Sequence, residues 1–227
     1  ILRKVLSRVP LSTKVYSYVK KKSVVEAARA MAGNKAVLKI DIKDFFPSIT
    51  FKRVFGLYKN LDFDDETSYI LTKLTTFDNK IAQGAPTSPT ISNLVLRKLD
   101  QSLIRLSTKW EMEYLRYSDD LFFYHTKNFN HPRLTEIVAG QLEYNGFAIN
   151  SNKTSFYPRG TPRKTLGLLT HGENPALPGP MRRKIRHYFH KGSRNIAWGQ
   201  ENLSVLKGLL EWHKCVYGKD DKYQEYL

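Results

Sequence analysis

The chain has 227 residues, room for one large domain or two small ones. Its content of 41% hydrophobic and 26% charged residues is that of an ordinary folded protein, which excludes a disordered chain. No apolar run approaches the roughly 18 residues of a membrane span.

Lys and Arg exceed Asp and Glu by 37 − 21 = +16. A domain this basic is built to meet a polyanion. The cations are scattered along the chain and not gathered on one amphipathic helix, which favours nucleic acid over a membrane surface. Ile1-Leu2-Arg3-Lys4 lacks the apolar stretch and cleavage site of a signal peptide. The absence of an initiator Met suggests a start within a longer protein. The single cysteine, Cys215, lies in an apolar helical pattern and reads as a packed core thiol, in keeping with a cytoplasmic protein.

In chain order, residues 1–35 read as helical, with Lys20, Lys21 and Lys22 in a turn. Ala36–Ile42 is a β-rich run. Phe63–Thr76 has helical spacing, with Tyr69, Ile70, Leu71 and Leu74 as its apolar positions. Ser88 followed by Pro89 predicts an N-cap and the first residue of a helix, and the apolar face Ile91, Leu94, Val95, Leu99 and Leu103 carries that helix to about Leu106. Leu115–Tyr117 and Leu121–Tyr124 flank an acidic turn and predict a hairpin. A helix from about Pro132 ends before Gly146, and Thr165–Thr170 predicts a strand. The Pro- and Gly-rich Gly172–Pro180 stretch marks a boundary. Met181–His190 and Asn202–Val216 are a basic and an apolar helix. This order predicts an α+β core with a helical appendix.

Three segments carry chemistry. Tyr117-Ser118-Asp119-Asp120 puts two adjacent carboxylates between apolar strands. Buried like charges repel, so a divalent cation is one natural counter-charge; a solvated turn is the other reading. Asp41-Ile42-Lys43-Asp44-Phe45-Phe46-Pro47-Ser48-Ile49 places a carboxylate at a strand end. Magnesium takes a few carboxylates plus substrate phosphates, and a pair of ions can serve an in-line phosphoryl displacement. Asp41, Asp119 and Asp120 would supply that need, while Asp44 reads more readily as a helix-start residue. The third segment is Gln83-Gly84-Ala85-Pro86-Thr87-Ser88-Pro89. Its glycine lets backbone approach a flat ligand, although it would also serve as a plain turn before a helix.

In this order and spacing the three segments resemble the palm motifs of reverse transcriptases, specifically the bacterial retron-type and group II intron-type enzymes. The resemblance implies a right-hand polymerase fold. Fingers would take in about 1–35 and 51–82, a palm with an antiparallel sheet 36–50 and 83–170, and a helical thumb 171–227. It implies two magnesium ions, with manganese as a substitute, held by Asp41, Asp119 and Asp120, with Ile42 beside them. Backbone amides of Ile42 and Lys43 would meet the triphosphate. Phe46 would exclude a ribose 2′-hydroxyl, core packing beside Phe45 being the plainer role. Gln83 and Gly84 would touch template and nucleotide, and Tyr117 the primer end.

Lys153, after Gly146-Phe147-Ala148-Ile149-Asn150, would protonate the leaving pyrophosphate. Leu166-Gly167-Leu168 resembles a primer-grip hairpin. Arg182, Arg183, Lys184 and Arg186 would bind duplex or structured RNA. Two retron hallmarks are degenerate: Ala27–Met31 stands for Asn-Ala-x-x-His, and Thr165-Leu166-Gly167 for Val-Thr-Gly. The retron branch would add a structured noncoding RNA as template and primer, an RNA–DNA product, deoxynucleotide substrates and an effector or toxin protein. An RNA polymerase, untemplated DNA synthesis and an inactive RNA-binding scaffold are the rival functions.

Overall fold

A computed structural model describes all residues, 1–227. The chain divides into two compact units: residues 1–23 with 36–159, and residues 24–35 with 160–227. The division falls at Arg159–Gly160 and not in the Gly172–Pro180 stretch. Residues 24–35, read from sequence with the first segment, pack with the C-terminal part.

The first unit is built on a four-stranded antiparallel sheet: β1 (Ala36–Asp41), β4 (Glu113–Tyr117), β5 (Asp120–His125) and β6 (Ser155–Tyr157), in the order β4-β5-β1-β6. A small ribbon, β2 (Thr76–Phe77) with β3 (Lys80–Ile81), lies outside it. Helices α2 (Phe45–Ser48), α3 (Phe51–Lys59), α4 (Asp65–Thr75), α5 (Ser88–Val95), α6 (Arg97–Lys109) and α7 (His131–Tyr144) complete the unit.

Alternation sorts the strands. Leu38 and Ile40 of β1 face the same way as their partners Phe123 and Leu121. All four are buried in a core that also takes Leu99 and Leu103 of α6 and Leu134, Val138 and Leu142 of α7. The opposite face of β1 carries Lys39 and Asp41, and Asp120 stands directly across from Asp41.

Four local expectations change. Residues 1–35 are helical only at a short 3-10 turn, Leu6–Arg8, and at α1 (Val24–Met31). Residues 14–17 instead run beside β4, with Tyr16 N–H on Arg116 O and Arg116 N–H on Lys14 O, both at 2.9 Å. On α4 the buried positions are Ser68, Thr72 and Thr75, while Tyr69, Ile70 and Leu74 face solvent. Thr72 and Thr75 bury readily because their hydroxyls donate to the carbonyls of Ser68 and Leu71 one turn back. The long helix after Ser88 is two helices with a break at Leu96, which turns both Leu96 and Asp100 into the interior. Ser88 is not its cap: Thr87 holds that position, and the buried Ser88 hydroxyl donates to Ala82 O at 2.6 Å.

In the second unit, α1 and a two-residue hairpin, β7 (Lys164–Thr165) with β8 (Leu168–Leu169), accompany α8 (Gly179–Arg194), α9 (Ile196–Glu201), α10 (Leu203–Tyr217) and α11 (Asp221–Glu225). Thr165–Thr170 is therefore a hairpin and not one strand. Its turn puts Leu166 and Gly167 both at positive φ, the I′ form that matches strand twist. The buried Arg163 guanidinium donates to the carbonyls of Met31, Gly33, Lys35 and Thr170, tying residues 31–35 to the hairpin. Cys215 is exposed, which corrects the core reading: α10 turns His213 and Val216 inward and leaves the thiol on the outer side. No helix is long and apolar enough to cross a membrane.

Candidate active site

Three pieces of backbone converge at the end of β1. The β4–β5 hairpin closes on the pair Tyr117 and Asp120, leaving Ser118 and Asp119 as a two-residue tip. The tip is fastened to β1 by Ile42 N–H on Asp119 O at 3.0 Å. On the other flank, Asn150 N–H donates to Asp41 O and Lys43 N–H to Ala148 O, both at 2.8 Å. The 41–43 segment is thus clamped between the acidic turn and the loop that carries Lys153.

Asp41 is buried, with only 6% of its side chain exposed, and Asp120 is 17% exposed. Directly opposed residues on antiparallel strands set their β-carbons about 4.5–5.5 Å apart, so these two carboxylates share one small region. Asp119, half-exposed, is the next residue of the turn. Two ammonium groups attend them. Lys39 Nζ is 2.9 Å from Asp120 Oδ1, and Lys153 Nζ is 4.0 Å from Asp41 Oδ2.

Burial pushes the Asp120 carboxyl up to about 6; Lys39 opposes the rise, and Asp119 and Asp41 add to it. Asp120 Oδ1 is buried, and the partner it meets is the Lys39 ammonium at 2.9 Å. Two largely buried carboxylates opposed across neighbouring strands, with a third on the adjoining turn, are the donor chemistry of a hard divalent cation. Nowhere do three His, Cys, Asp or Glu side chains form a ready cage.

The structure adjusts several expected roles. The Ile42 and Lys43 amides, expected to bind triphosphate, are already spent on the carbonyls of Asp119 and Ala148. What remains is the exposed Lys43 side chain, while Ile42, buried and apolar, could reach a metal only through its carbonyl. Asp44 begins α2 at φ 46°, exposed and without a side-chain cap bond. Phe46 is half-buried, edge-on to the buried Phe45 with ring centroids 5.3 Å apart. Gln83 and Gly84 occupy an exposed turn between β3 and α5, and Gly84 has φ +91° with open space where a Cβ would stand. Tyr117 is half-buried beside the acidic tip, and burial raises its hydroxyl pKa.

Leu166, Gly167 and the cations of α8 lie in the second unit. Arg182, Arg183, Lys184 and Arg186 are all exposed, on a helix that contains no carboxylate. Sequence reasoning missed Lys39, although it stands two residues before Asp41 and so on the same strand face. It also missed Asp100, an acid among the apolar positions of α6.

Comparison with known proteins settles the ancestry. The reverse transcriptase (RNA-dependent DNA polymerase) family matches residues 1–170. The chain belongs to the reverse transcriptase family. Among its relatives are the retron Mx162 reverse transcriptase of Myxococcus xanthus, 32% identical over 92% of this chain and 50% of that protein. The retron Mx65 enzyme of the same organism is 30% identical over 95% of the chain and 54% of the protein. The retron Ec86 reverse transcriptase of Escherichia coli is 30% identical over 98% and 68%. The chain thus spans about half the length of the two Myxococcus relatives. These likenesses place it with the retron-type reverse transcriptases despite the degenerate hallmarks at Ala27–Met31 and Thr165–Gly167.

Two solved telomerases share the fold at 10% identity. One is from Candida albicans with a fragment of telomeric RNA, at TM-score 0.52 over 73% of this chain and 38% of that one. The other, from Candida tropicalis, has TM-score 0.53 over 73% and 41%. The α+β reading and its polymerase architecture stand.

Proposed function

We propose that this reverse transcriptase chain copies a structured noncoding RNA into DNA, extending a primer with deoxynucleotides. The observation that carries this is the register of β1 and β5, which opposes Asp41 to Asp120 beside Asp119. Asp41, Asp119 and Asp120, with the Ile42 carbonyl, would hold two divalent ions, magnesium first. When bound, the ions would neutralise phosphate charge and favour the ionised primer hydroxyl.

The chain's own groups do the rest. The primer hydroxyl attacks the α-phosphorus, the new phosphodiester forms, and pyrophosphate departs. Lys153, exposed and 4.0 Å from Asp41, stands where an ammonium can give its proton to that leaving group. Phe46 crowds the sugar 2′-position, Gln83 and Gly84 touch template and nucleotide, and Tyr117 steadies the primer end. Leu166 and Gly167 present the turn of a primer grip. The cations Arg182, Arg183, Lys184 and Arg186 take phosphates of the RNA or the RNA–DNA product. In this reading 1–35 and 51–82 are fingers, 36–50 and 83–170 palm, and 171–227 thumb.

The likeness to the retron Mx162 and Ec86 reverse transcriptases supports the retron reading; in that reading the product is a branched RNA–DNA molecule primed from a 2′-hydroxyl of the cognate RNA, and the enzyme works with an effector protein against phage. The test is to incubate full-length protein with magnesium, labelled deoxynucleotides and co-purified host RNA, beside an Asp119→Asn/Asp120→Asn variant. Product that needs both aspartates and stays attached to RNase-sensitive material is expected. Product made after RNase pretreatment points to untemplated synthesis, and no product from folded protein overturns the enzymatic reading.

A further inference from the structure

The acidic turn is held from beneath by a buried polar network that no catalytic role accounts for. Arg116 of β4 is wholly buried. Its Nε and Nη2 donate to Asp100 Oδ1 and Oδ2, both at 2.8 Å, in a bidentate pair. Its Nη1 donates to Asn93 Oδ1 at 2.9 Å and to Ser118 O at 3.0 Å. Asn93 in turn donates to Ser17 O at 2.9 Å. The Ser17 hydroxyl, also buried, accepts the Ser118 N–H at 2.7 Å. Both backbone polar groups of Ser118 are therefore gripped, one by Arg116 and one by Ser17.

Ser118 needs gripping. It has φ 57°, while Asp119 beside it is not at positive φ. Positive φ at the first central residue alone is the II′ pattern of a two-residue hairpin turn, a place that favours glycine because a β-carbon collides with backbone. A serine stays there only if its surroundings over-determine it. The next two residues are Asp119 and Asp120, so the direction in which the chain leaves Ser118 sets where both carboxylates point.

We infer that Arg116, with Asp100, Asn93 and Ser17, is a positioning apparatus that forces Ser118 into its left-handed conformation and so aims Asp119 and Asp120 at the metal and primer end. The inference rests on the polymerase reading. It predicts a specific epistasis: glycine at 118 adopts the conformation unforced and makes the grip dispensable.

The experiment uses full-length protein carrying Ser17→Ala or Asn93→Ala, each alone and combined with Ser118→Gly. Ser17→Ala removes one hydroxyl and gives a variant that folds even where Asn93→Ala does not. Two quantities are read: the single-turnover rate of nucleotide addition, and Mn2+ affinity without nucleotide by electron paramagnetic resonance. Ser17→Ala is expected to weaken both about tenfold, with KM for the deoxynucleotide moving less than about twofold. Adding Ser118→Gly is expected to bring both back to within about threefold of Ser118→Gly alone.

Ser17→Ala indistinguishable from the parent in both readouts overturns the inference. So does a loss that glycine fails to repair, which marks the network as structural support only. A parent without polymerase activity but with the predicted Mn2+ pattern sinks the functional reading and leaves the positioning intact. A parent with neither overturns both.

Discussion

Replacing Asp100 by alanine is expected to destabilise the first unit by about 3–5 kcal/mol, the cost of leaving one member of a buried ion pair alone. Arg116 is completely buried and Asp100 is 2% exposed, so solvent cannot screen the orphaned guanidinium. Tyr114 loses its partner as well, since its hydroxyl donates to Asp100 Oδ1 at 2.9 Å. Burial alone disfavours the charge on Arg116, and the carboxylate of Asp100 outweighs that and holds its pKa above the ordinary value. Asp100→Ala removes this offset and keeps the burial. Asp100→Leu should cost a similar amount. In the double variant Asp100→Leu/Arg116→Met neither charge remains, and its loss should fall short of the two single losses combined by about 2–3 kcal/mol. Asn93 Oδ1 and the Tyr114 hydroxyl stay unpaired there, which is why the parent stability is not fully regained. The assay is urea unfolding followed by Trp110 fluorescence, in a background with Trp198→Phe and Trp212→Phe so that only the first unit reports. Single losses below about 1 kcal/mol, or singles that add within about 0.5 kcal/mol, would refute the claim that this pair is coupled and desolvated.

Other consequences follow from individual groups. In EDTA, Asp120→Asn should make the protein more stable than the parent above pH 6 and equal to it below pH 3.8. The folded carboxyl is raised from 3.8 to about 6, so the parent loses relative stability as pH rises through that window. The gap is at most about 3 kcal/mol at 1.36 kcal/mol per unit, read by urea unfolding at several pH values; a gap that does not vary with pH counts against it. Magnesium should raise the melting temperature of the parent and leave that of Asp120→Asn unmoved. Lys153→Ala should slow single-turnover addition about a hundredfold while RNA binding measured by filter retention stays put. An unchanged rate removes Lys153 from the chemistry. Phe46→Ala should increase ribonucleotide incorporation in a competition assay, and no increase assigns the ring to packing against Phe45. In the second unit, His213 Nε2 meets Asp220 Oδ1 at 2.9 Å and holds the Asp220 carboxyl below its ordinary value. That contribution is full above pH 3.8 and is lost as pH falls through the lowered pKa. Asp220→Asn should therefore lower the melting temperature at neutral pH, and the difference should close only in acid below 3.8.

What the sequence disclosed, and what it withheld, divides along one physical line. The hairpin and its acidic tip are local, because alternation and two adjacent aspartates lie within a dozen residues. Asp41 at a strand end is equally local. Burial on α4 departs from apolarity because hydroxyls that bond one turn back cost little to bury, so Thr72 and Thr75 take the inward positions and Ile70 and Leu74 face solvent. Cys215 sits among apolar neighbours on α10, and composition cannot distinguish facing in from facing out one residue before Val216. The Ile42 and Lys43 amides could not be judged at all from sequence, since their partners Asp119 and Ala148 arrive from distant segments. The packing of 24–35 with 160–227 depends on Arg163, whose guanidinium reads carbonyls some 130 positions away. An arginine between Leu115 and Tyr117 in an apolar strand, and an aspartate on the inward face of α6, were the available signals for the network under the turn. A charge that patterning says should be buried implies a partner.

The same residues explain why the site is built on this sheet. Unfavourable features crowd the end of its two central strands: a desolvated Asp120, a buried Asp41 across from it, and left-handed Ser118 and Asp44. Each left-handed residue costs on the order of 1–3 kcal/mol in isolation, and a flexible loop would relax both the backbone and the carboxylates. Here they cannot relax, because β1 is paired on both sides and the turn is bonded at Ser118 N–H, Ser118 O and Asp119 O to Ser17, Arg116 and Ile42. The strain is thereby converted into direction: two carboxylates that would separate in water are kept facing one region, ready for a cation. A consequence is that neutralising Asp120 and loosening the turn must push stability in opposite directions. Asp120→Asn removes a cost and stabilises the unliganded protein, whereas Asp100→Ala removes the restraint and destabilises it, yet both abolish or weaken metal binding. Stability and metal affinity measured on the two variants together separate a site that is strained for its ligand from one that is merely buried.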